Sequence, residues 1–387
     1  MSYRALARSV PSYFLPLGLL ARLPYAMTPL GTLLLLRHAT GSATFAGLAA
    51  GAQSVAIAAG GLAAGGLAAR FGARRLGMIT AVLNALAAVG LVLATQRTTM
   101  LLAAVLVGLT QPHVGLLVRV HWSAALGRTG LVRTAFAYES AVDELSFVLG
   151  PVVVGLLAEL PARESGPLLG MVVLLLAAAV PFAAGYGHGA RPRGTPTGER
   201  LPLRAMGFLA AGMGAVGAVF GSVQTVTAAQ VGIGAGYLYA LLGLGSVVSG
   251  FAYAWLPVAF GPRARYLVFA AALVVGTLVL KLGQHVQLLP LGMAMAGFAL
   301  APYMITLFAL TDTVAPAARL PVAMGVLGAG GPVGTAVGQA VTGHLVDTAG
   351  LGVAWLVPVG CAGVGLLLAV SGQSVVVGEH DRGGAVA

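Results

Sequence analysis

Long apolar runs follow one another through this chain, separated by short connectors that carry most of its arginines, and this pattern leaves few folds open. A helix crosses the ~30 Å hydrocarbon layer in ~20 residues. Runs of that length or more lie at 11–35, 44–68, 76–95, 99–123, 134–158 and 167–187, and again at 205–228, 235–257, 266–283, 288–311, 320–344 and 350–372. The alternation typical of a membrane barrel is absent, so each run is predicted to be a helix that satisfies its own backbone hydrogen bonds. With 58% apolar and 8% charged residues, an ordinary soluble domain is excluded. Twelve spans use up most of the 387 residues, which leaves no room for a folded domain outside the membrane. Function is therefore expected among the helices.

A net charge of +11 would suggest nucleic acid in a soluble protein. Here the charges read as topology signals, because arginine and lysine in short loops collect on the cytoplasmic side. With the N-terminus inside, the inner segments hold 15 of the 21 basic residues: Arg4, Arg8, Arg70, Arg74, Arg75, Arg128, Arg133, Arg191, Arg193, Arg200, Arg204, Arg263, Arg265, Arg319 and Arg382. Outer loops hold Arg37, Arg97, Arg163 and Lys281, while Arg22 and Arg119 fall inside spans. Both termini are thus expected in the cytoplasm of a multi-pass protein. The near-exclusive use of arginine, beside abundant alanine and glycine, points to a GC-rich bacterial genome, and the plasma membrane of a bacterium is the expected location. The longest polar stretch divides the chain into a six-helix half at 1–187, a cytoplasmic linker at 188–204 and a second six-helix half with a short tail at 205–387.

The halves repeat weakly. AARFGARRL (68–76) returns as VAFGPRARYL (258–267), Pro112 is answered by Pro302, and Gly150-Pro151 by Gly331-Pro332. Parallel six-helix repeats are the plan of transporters whose site lies between the halves near the midplane.

The fifth run breaks the apolar rule, for RTAFAYESAVDELSFVLGPVVVGLLAE (133–159) carries Glu139, Asp143 and Glu144. A carboxylate at bilayer depth costs ~2.5–3.5 kcal/mol on insertion scales and persists where it faces a cavity or a partner. At about 100° per residue, Glu139, Asp143, Ser146 and Gly150 share one stripe, with Glu144, Val148, Pro151 and Gly155 beside it. Pro151 is expected to kink the helix, and Gly150 and Gly155 to admit a neighbour closely. Leucine at Gly150 is therefore expected to block function while sparing the fold.

Arg22, within the first span, needs a carboxylate or an anionic substrate, and Asp143 or Glu144 is the expected partner. Arg119 near the inner end of the fourth span is expected to pair with Glu139. Each pair reads equally as a structural ion pair. Three acids face two arginines, so one acid is left as a candidate proton carrier, since alternating exposure switches a carboxylate between protonated and charged states. Asp143 leads and Glu144 follows, with Glu139 nearest the cytoplasmic edge. His113, mid-span beside Pro112, is a candidate proton relay or a hydrogen-bonded helix histidine. Tyr25, Gln53, Gln111, Gln224 and Gln339 are candidate cavity residues or interhelical hydrogen-bonding groups. No phosphate loop, metal cluster or nucleophilic triad occurs, and Cys361 is the single cysteine, so no enzyme activity, cofactor, metal or disulfide is expected.

On the stretch AAGGLAARFGARR, the chain resembles the major facilitator superfamily, whose loop between the second and third helices reads G-x-L-A-D-R-x-G-x-R-R. Gly65, Leu67, Arg70, Gly72, Arg74 and Arg75 match, while Ala69 replaces the aspartate. SFVLGPVVVG resembles the fifth-helix antiporter motif G-x-x-x-G-P-x-x-G-G at Gly150, Pro151 and Gly155, with Ser146 and Val154 departing from it. PHVGLLVRVHW (112–122) and AYESAVDELSFVLGP (137–151) resemble actinobacterial facilitator-type permeases of undefined substrate. The resemblance implies twelve helices in two pseudo-symmetric bundles and secondary active transport. The antiporter motif implies efflux of a small molecule in exchange for protons. The expectation is thus a monomeric proton-coupled exporter of a small amphipathic or apolar organic molecule, with the lipid bilayer as its other partner. The rivals are a proton-coupled importer of an organic anion, bound by Arg22, or of another small solute, and a non-transporting sensor or assembly partner.

Overall fold

A computed structural model describes residues 3–126, 131–160, 164–186, 201–257, 260–283, 288–316 and 319–383. Arg128, Arg163, Arg191, Arg193, Arg200 and linker residues 188–200 lie outside the described residues, as do the side chains of Arg133 and Arg382. The described residues form helices and connecting turns, with no strand among them.

Helices stand at each of the twelve expected runs, α1 (Phe14–Thr40), α2 (Ala43–Phe71), α3 (Ala73–Leu93), α4 (Arg97–Leu126), α5 (Val132–Ala158), α6 (Gly166–Ala184), α7 (Leu203–Val231), α8 (Ala235–Ala252), α9 (Pro262–Leu282), α10 (Leu289–Val314), α11 (Leu320–Ala349) and α12 (Leu356–Gly383), and ten stretches among the described residues are long and apolar enough to cross a membrane. A short helix, Tyr3–Arg8, precedes them. The protein is an all-α, multi-pass membrane protein. Large apolar side chains such as Leu86, Leu93, Phe251 and Leu367 stand exposed along the helices. A soluble protein avoids such surface, and hydrocarbon solvates it.

Helix ends follow local chemistry. α1 runs past Arg37 to Thr40, beyond its expected end, because the stop is Gly41 in the left-handed region at φ +66°. Gly72 joins α2 to α3 at φ +85°, a conformation that favours glycine. Two helices are interrupted by proline, which has no N–H to donate. In α1, segments Phe14–Leu20 and Leu23–Thr40 meet at Ala21 and Arg22, just before Pro24. In α4, segments Arg97–Leu109 and Val114–Leu126 flank Pro112. Asn84 of α3 covers that break by donating Nδ2 to the Val107 carbonyl at 2.6 Å and to Thr110 Oγ1 at 3.1 Å. Pro151, by contrast, lies inside an uninterrupted α5.

The chain clusters into two compact units. Unit one takes described residues of 1–41, 52–193 and 233–240, and unit two those of 42–51, 194–232 and 241–387. α2 thus begins in unit two and continues in unit one, while α8 begins in unit one and continues in unit two. Inside unit two, α7 and α11 pack backbone to backbone: a Cβ on Gly334 would collide with the Gly214 carbonyl, and one on Gly338 with that of Ala218. The Gln339 side chain donates to Gln224 Oε1 across the same pair at 3.0 Å. Small residues are what let membrane helices approach this closely.

Candidate functional site

Four charged side chains of unit one converge between α1, α4 and α5. Arg22 stands at the break in α1, which frees its side chain to reach α5. Its Nη1 donates to the Gly18 carbonyl at 2.8 Å, its Nε to Asp143 Oδ1 at 2.6 Å, and its Nη2 to Glu139 Oε2. Arg22 and Glu139 are only 3% and 1% exposed, which is tolerable at this depth because each charge is paired and hydrogen-bonded. Trp122 Nε1 donates to the other Glu139 oxygen at 2.5 Å. Asp143 is shared, since its Oδ2 accepts from Arg119 Nη2 at 2.8 Å. Arg119 also donates to the Gly115 carbonyl at 3.1 Å and to Ser140 Oγ at 3.3 Å. A Cβ on Gly115 would lie 3.0 Å from Arg119 Nη1 and 3.1 Å from Asp143 Oδ1, so this glycine leaves the room the pair occupies.

Arg22 holds Asp143 as expected, and the rest of the pairing differs. Arg22 takes Glu139 as well as Asp143, and Arg119 takes Asp143 rather than Glu139. The reason is register: α1 begins at Phe14 rather than at residue 11, which brings Arg22 level with Glu139 near the start of α5. Glu139 and Asp143, four residues apart on one face, both fall within the fork of a single guanidinium. Two arginines and two acids then balance in charge.

Glu144 is left over. It makes no hydrogen bond or ion pair among the described residues, and it is exposed near the middle of the 27-residue α5. Pro151 and Gly155, seven and eleven residues on, share its face of the helix. That face packs on the start of α8, where a Cβ on Gly236 would collide with the Pro151 carbonyl and one on Gly155 would lie 3.1 Å from the Tyr237 ring. Phe147, three residues from Glu144 and 48% exposed, meets the Tyr25 ring edge-on at 6.1 Å. The His113 ring lies 6.3 Å from that of Tyr25. An aromatic face thus adjoins the charges.

The other candidates are dispersed. His113 Nε2 is buried against Gly60 and Gly61 with no hydrogen-bond partner, and the histidine meets no carboxylate among the described residues. Gln111 accepts a long bond of 3.3 Å from Thr28, and its Nε2 is unpartnered. Gln53 is fully buried with neither side-chain atom hydrogen-bonded. Gln224 and Gln339 bond to each other inside unit two. Gly65, Arg70, Gly72, Arg74 and Arg75 lie at the α2–α3 junction, where Arg70 covers the Phe71 ring at 5.3 Å and none of the three arginines forms an ion pair among the described residues.

Gly150 faces Ala26 of α1. A Cβ there would lie 2.5 Å from Ala26 Cβ, so α1 and α5 touch backbone to backbone beside the charge cluster. Gly150→Leu is expected to destabilise the protein by about 1–3 kcal/mol as well as impair function, because overpacking must push the helices apart. Thermal unfolding in detergent reads the first effect, and an unchanged midpoint would contradict the contact.

Trp122, Gly115 and Ser140 belong to the site without having been singled out from the sequence. The sequence matches no protein-family model and no curated protein. Among solved structures, the fold is similar to the nucleoside transporter NupG, with a TM-score of 0.71 at 17% identity over 94% of this chain and 98% of that one. It is similar to a D-xylose-proton symporter, with a TM-score of 0.72 at 16% identity over 97% and 98% of the two chains. It is also similar to the human organic anion transporter MFSD10 (TETRAN), with a TM-score of 0.66 at 19% identity over 95% and 99%.

Proposed function

We propose that this chain is a member of the major facilitator superfamily and a secondary transporter. It moves a small amphipathic or apolar organic molecule out of a bacterial cell in exchange for protons, as a monomer with both termini in the cytoplasm. One observation carries the reading. A balanced Arg22–Glu139–Asp143–Arg119 network lies at membrane depth beside a single unpaired acid, Glu144, and an aromatic face of Tyr25, Phe147 and His113. An ionisable group within a span that lacks a partner marks a proton or substrate path. The aromatic rings suit an apolar body, and Glu144 supplies the exchangeable charge. This assigns the proton to Glu144 in preference to Asp143, which both arginines hold.

The organic-anion importer is disfavoured by the same geometry. Arg22 is buried and spends its Nε, Nη1 and Nη2 on Asp143, the Gly18 carbonyl and Glu139, which leaves no exposed cationic face for a substrate carboxylate. The non-transporting sensor has no specific observation in its favour.

The test is proton movement in proteoliposomes loaded with a pH-sensitive dye and challenged with a panel of amphipathic aromatic compounds under an imposed pH gradient. At least one compound is expected to dissipate the gradient in a protein-dependent way. A panel that binds, by thermal stabilisation, and never moves protons would contradict the coupling.

A further inference from the structure

We infer that unit two carries a binding site for one anionic phospholipid, with an acyl chain in a groove between α7, α11 and α12 and the phosphate on Arg204. The groove has a volume of about 560 Å³ and is lined by Ala211 and Gly214 of α7, Gly330 and Val333 of α11, and Cys361 and Val364 of α12. Small residues create it. α11 closes on α7 where a Cβ on Gly334 would collide with the Gly214 carbonyl, and α12 closes on α7 where one on Gly365 would lie 3.3 Å from Ala215 Cβ. Between those contacts the alanines and glycines are too short to fill the space, and a Cβ on Gly214 would meet nothing nearer than the Gly330 carbonyl at 3.5 Å.

Water does not suit this groove. A buried water needs several polar partners, and the lining side chains are alanine, glycine and valine apart from the Cys361 thiol. Val333 and Val364 on its rim are 47% and 53% exposed, so it opens at the surface of the unit, where the medium around a span is hydrocarbon.

Apolar lining alone does not choose the occupant, and the charge beside it does. Arg204 stands two turns before Ala211 on the same face of α7, about 10 Å along the axis. Gly207 lies between them, and a Cβ there would meet nothing within 4 Å, so the path from groove to arginine is open. Arg204 is exposed and makes no hydrogen bond or ion pair among the described residues. It is the second residue of α7, whose N-cap Pro202 gives the first amides no side-chain hydrogen bond. A guanidinium beside uncapped helix amides suits a phosphate, and a basic residue at the mouth of an apolar cleft between spans is how a lipid headgroup is held. A phospholipid of the leaflet at this end of α7 presents phosphate and chain at that spacing. Under the proposed topology that leaflet is the cytoplasmic one. The binding itself does not rest on the transport reading, and it is measured without a transported compound.

Cys361, the single cysteine, reports occupancy because it lines the groove. Purified, delipidated protein in detergent is titrated with dioleoyl phosphatidylglycerol or dioleoyl phosphatidylcholine. Native mass spectrometry counts the retained lipid, and the rate of Cys361 alkylation by N-ethylmaleimide is followed beside it. Phosphatidylglycerol is expected to be retained and to slow alkylation at a concentration about tenfold below that needed for phosphatidylcholine, as a charge-assisted contact implies. Arg204→Gln is expected to erase that preference and leave the weaker binding common to both lipids. Ala211→Phe, which fills the groove from an exposed position, is expected to weaken both, and Val364→Phe on the rim serves where that variant does not fold. Leu86→Phe, on an exposed face of α3 in the other unit, is expected to change neither. Equal retention of the two lipids by the wild type, or a preference that survives Arg204→Gln, would overturn the anionic lipid. Phosphatidylglycerol that binds without slowing Cys361 would overturn the groove as its site.

Discussion

Replacing Arg22 with methionine is expected to lower the stability of the folded protein by about 3–5 kcal/mol, the cost of leaving a buried charge without its partner. Glu139 is 1% exposed and retains only the Trp122 N–H once the guanidinium is gone, while Asp143 keeps Arg119. Methionine fills much of the volume of the arginine stem, so the loss reads charge rather than a cavity. The second change Glu139→Gln is expected to restore most of the loss, because the pair is then removed as a unit and coupled sites do not add. Unfolding midpoints of the four proteins of this cycle measure it. A cost below about 1 kcal/mol for Arg22→Met would mean that water reaches the pair, as at exposed salt bridges.

The second large effect separates two adjacent acids. Glu144→Gln is expected to abolish uphill, proton-driven movement while leaving substrate exchange at equilibrium, since the only acid removed is one that holds nothing in place. Asp143→Asn removes the oxygen charge that Arg22 and Arg119 share at 2.6 and 2.8 Å. It is expected to impair both modes of transport and to destabilise the protein, because an excess cation is left in the cluster. Identical behaviour of the two variants would mean that the acids act as one group, and the division of roles would fall.

The architecture was legible because hydropathy over a span is a sum over many residues and tolerates single exceptions. Even the glycine-rich α11 shows as a run, and helix ends moved for local reasons, as where Gly41 overrode the charge of Arg37. The site was half legible. Charged residues inside spans announce themselves by their cost, so Arg22, Arg119, Glu139, Asp143 and Glu144 are found without a structure. Who pairs with whom depends on the relative depth of two helices, and an error of three residues in the start of α1 hid the Arg22–Glu139 pair and gave Glu139 to Arg119. Trp122 carries no such signal, since a tryptophan in an apolar run is normally packing.

Proton-driven transport through Glu144 is the central claim, and the most direct measurement follows one transported compound in proteoliposomes containing the wild type, Glu144→Gln or Asp143→Asn. Accumulation against a concentration gradient under an imposed pH gradient is recorded beside exchange with no gradient. The account predicts both activities in the wild type, exchange alone in Glu144→Gln, and neither at appreciable rate in Asp143→Asn. Undiminished gradient-driven accumulation by Glu144→Gln would contradict it and move the coupling site elsewhere.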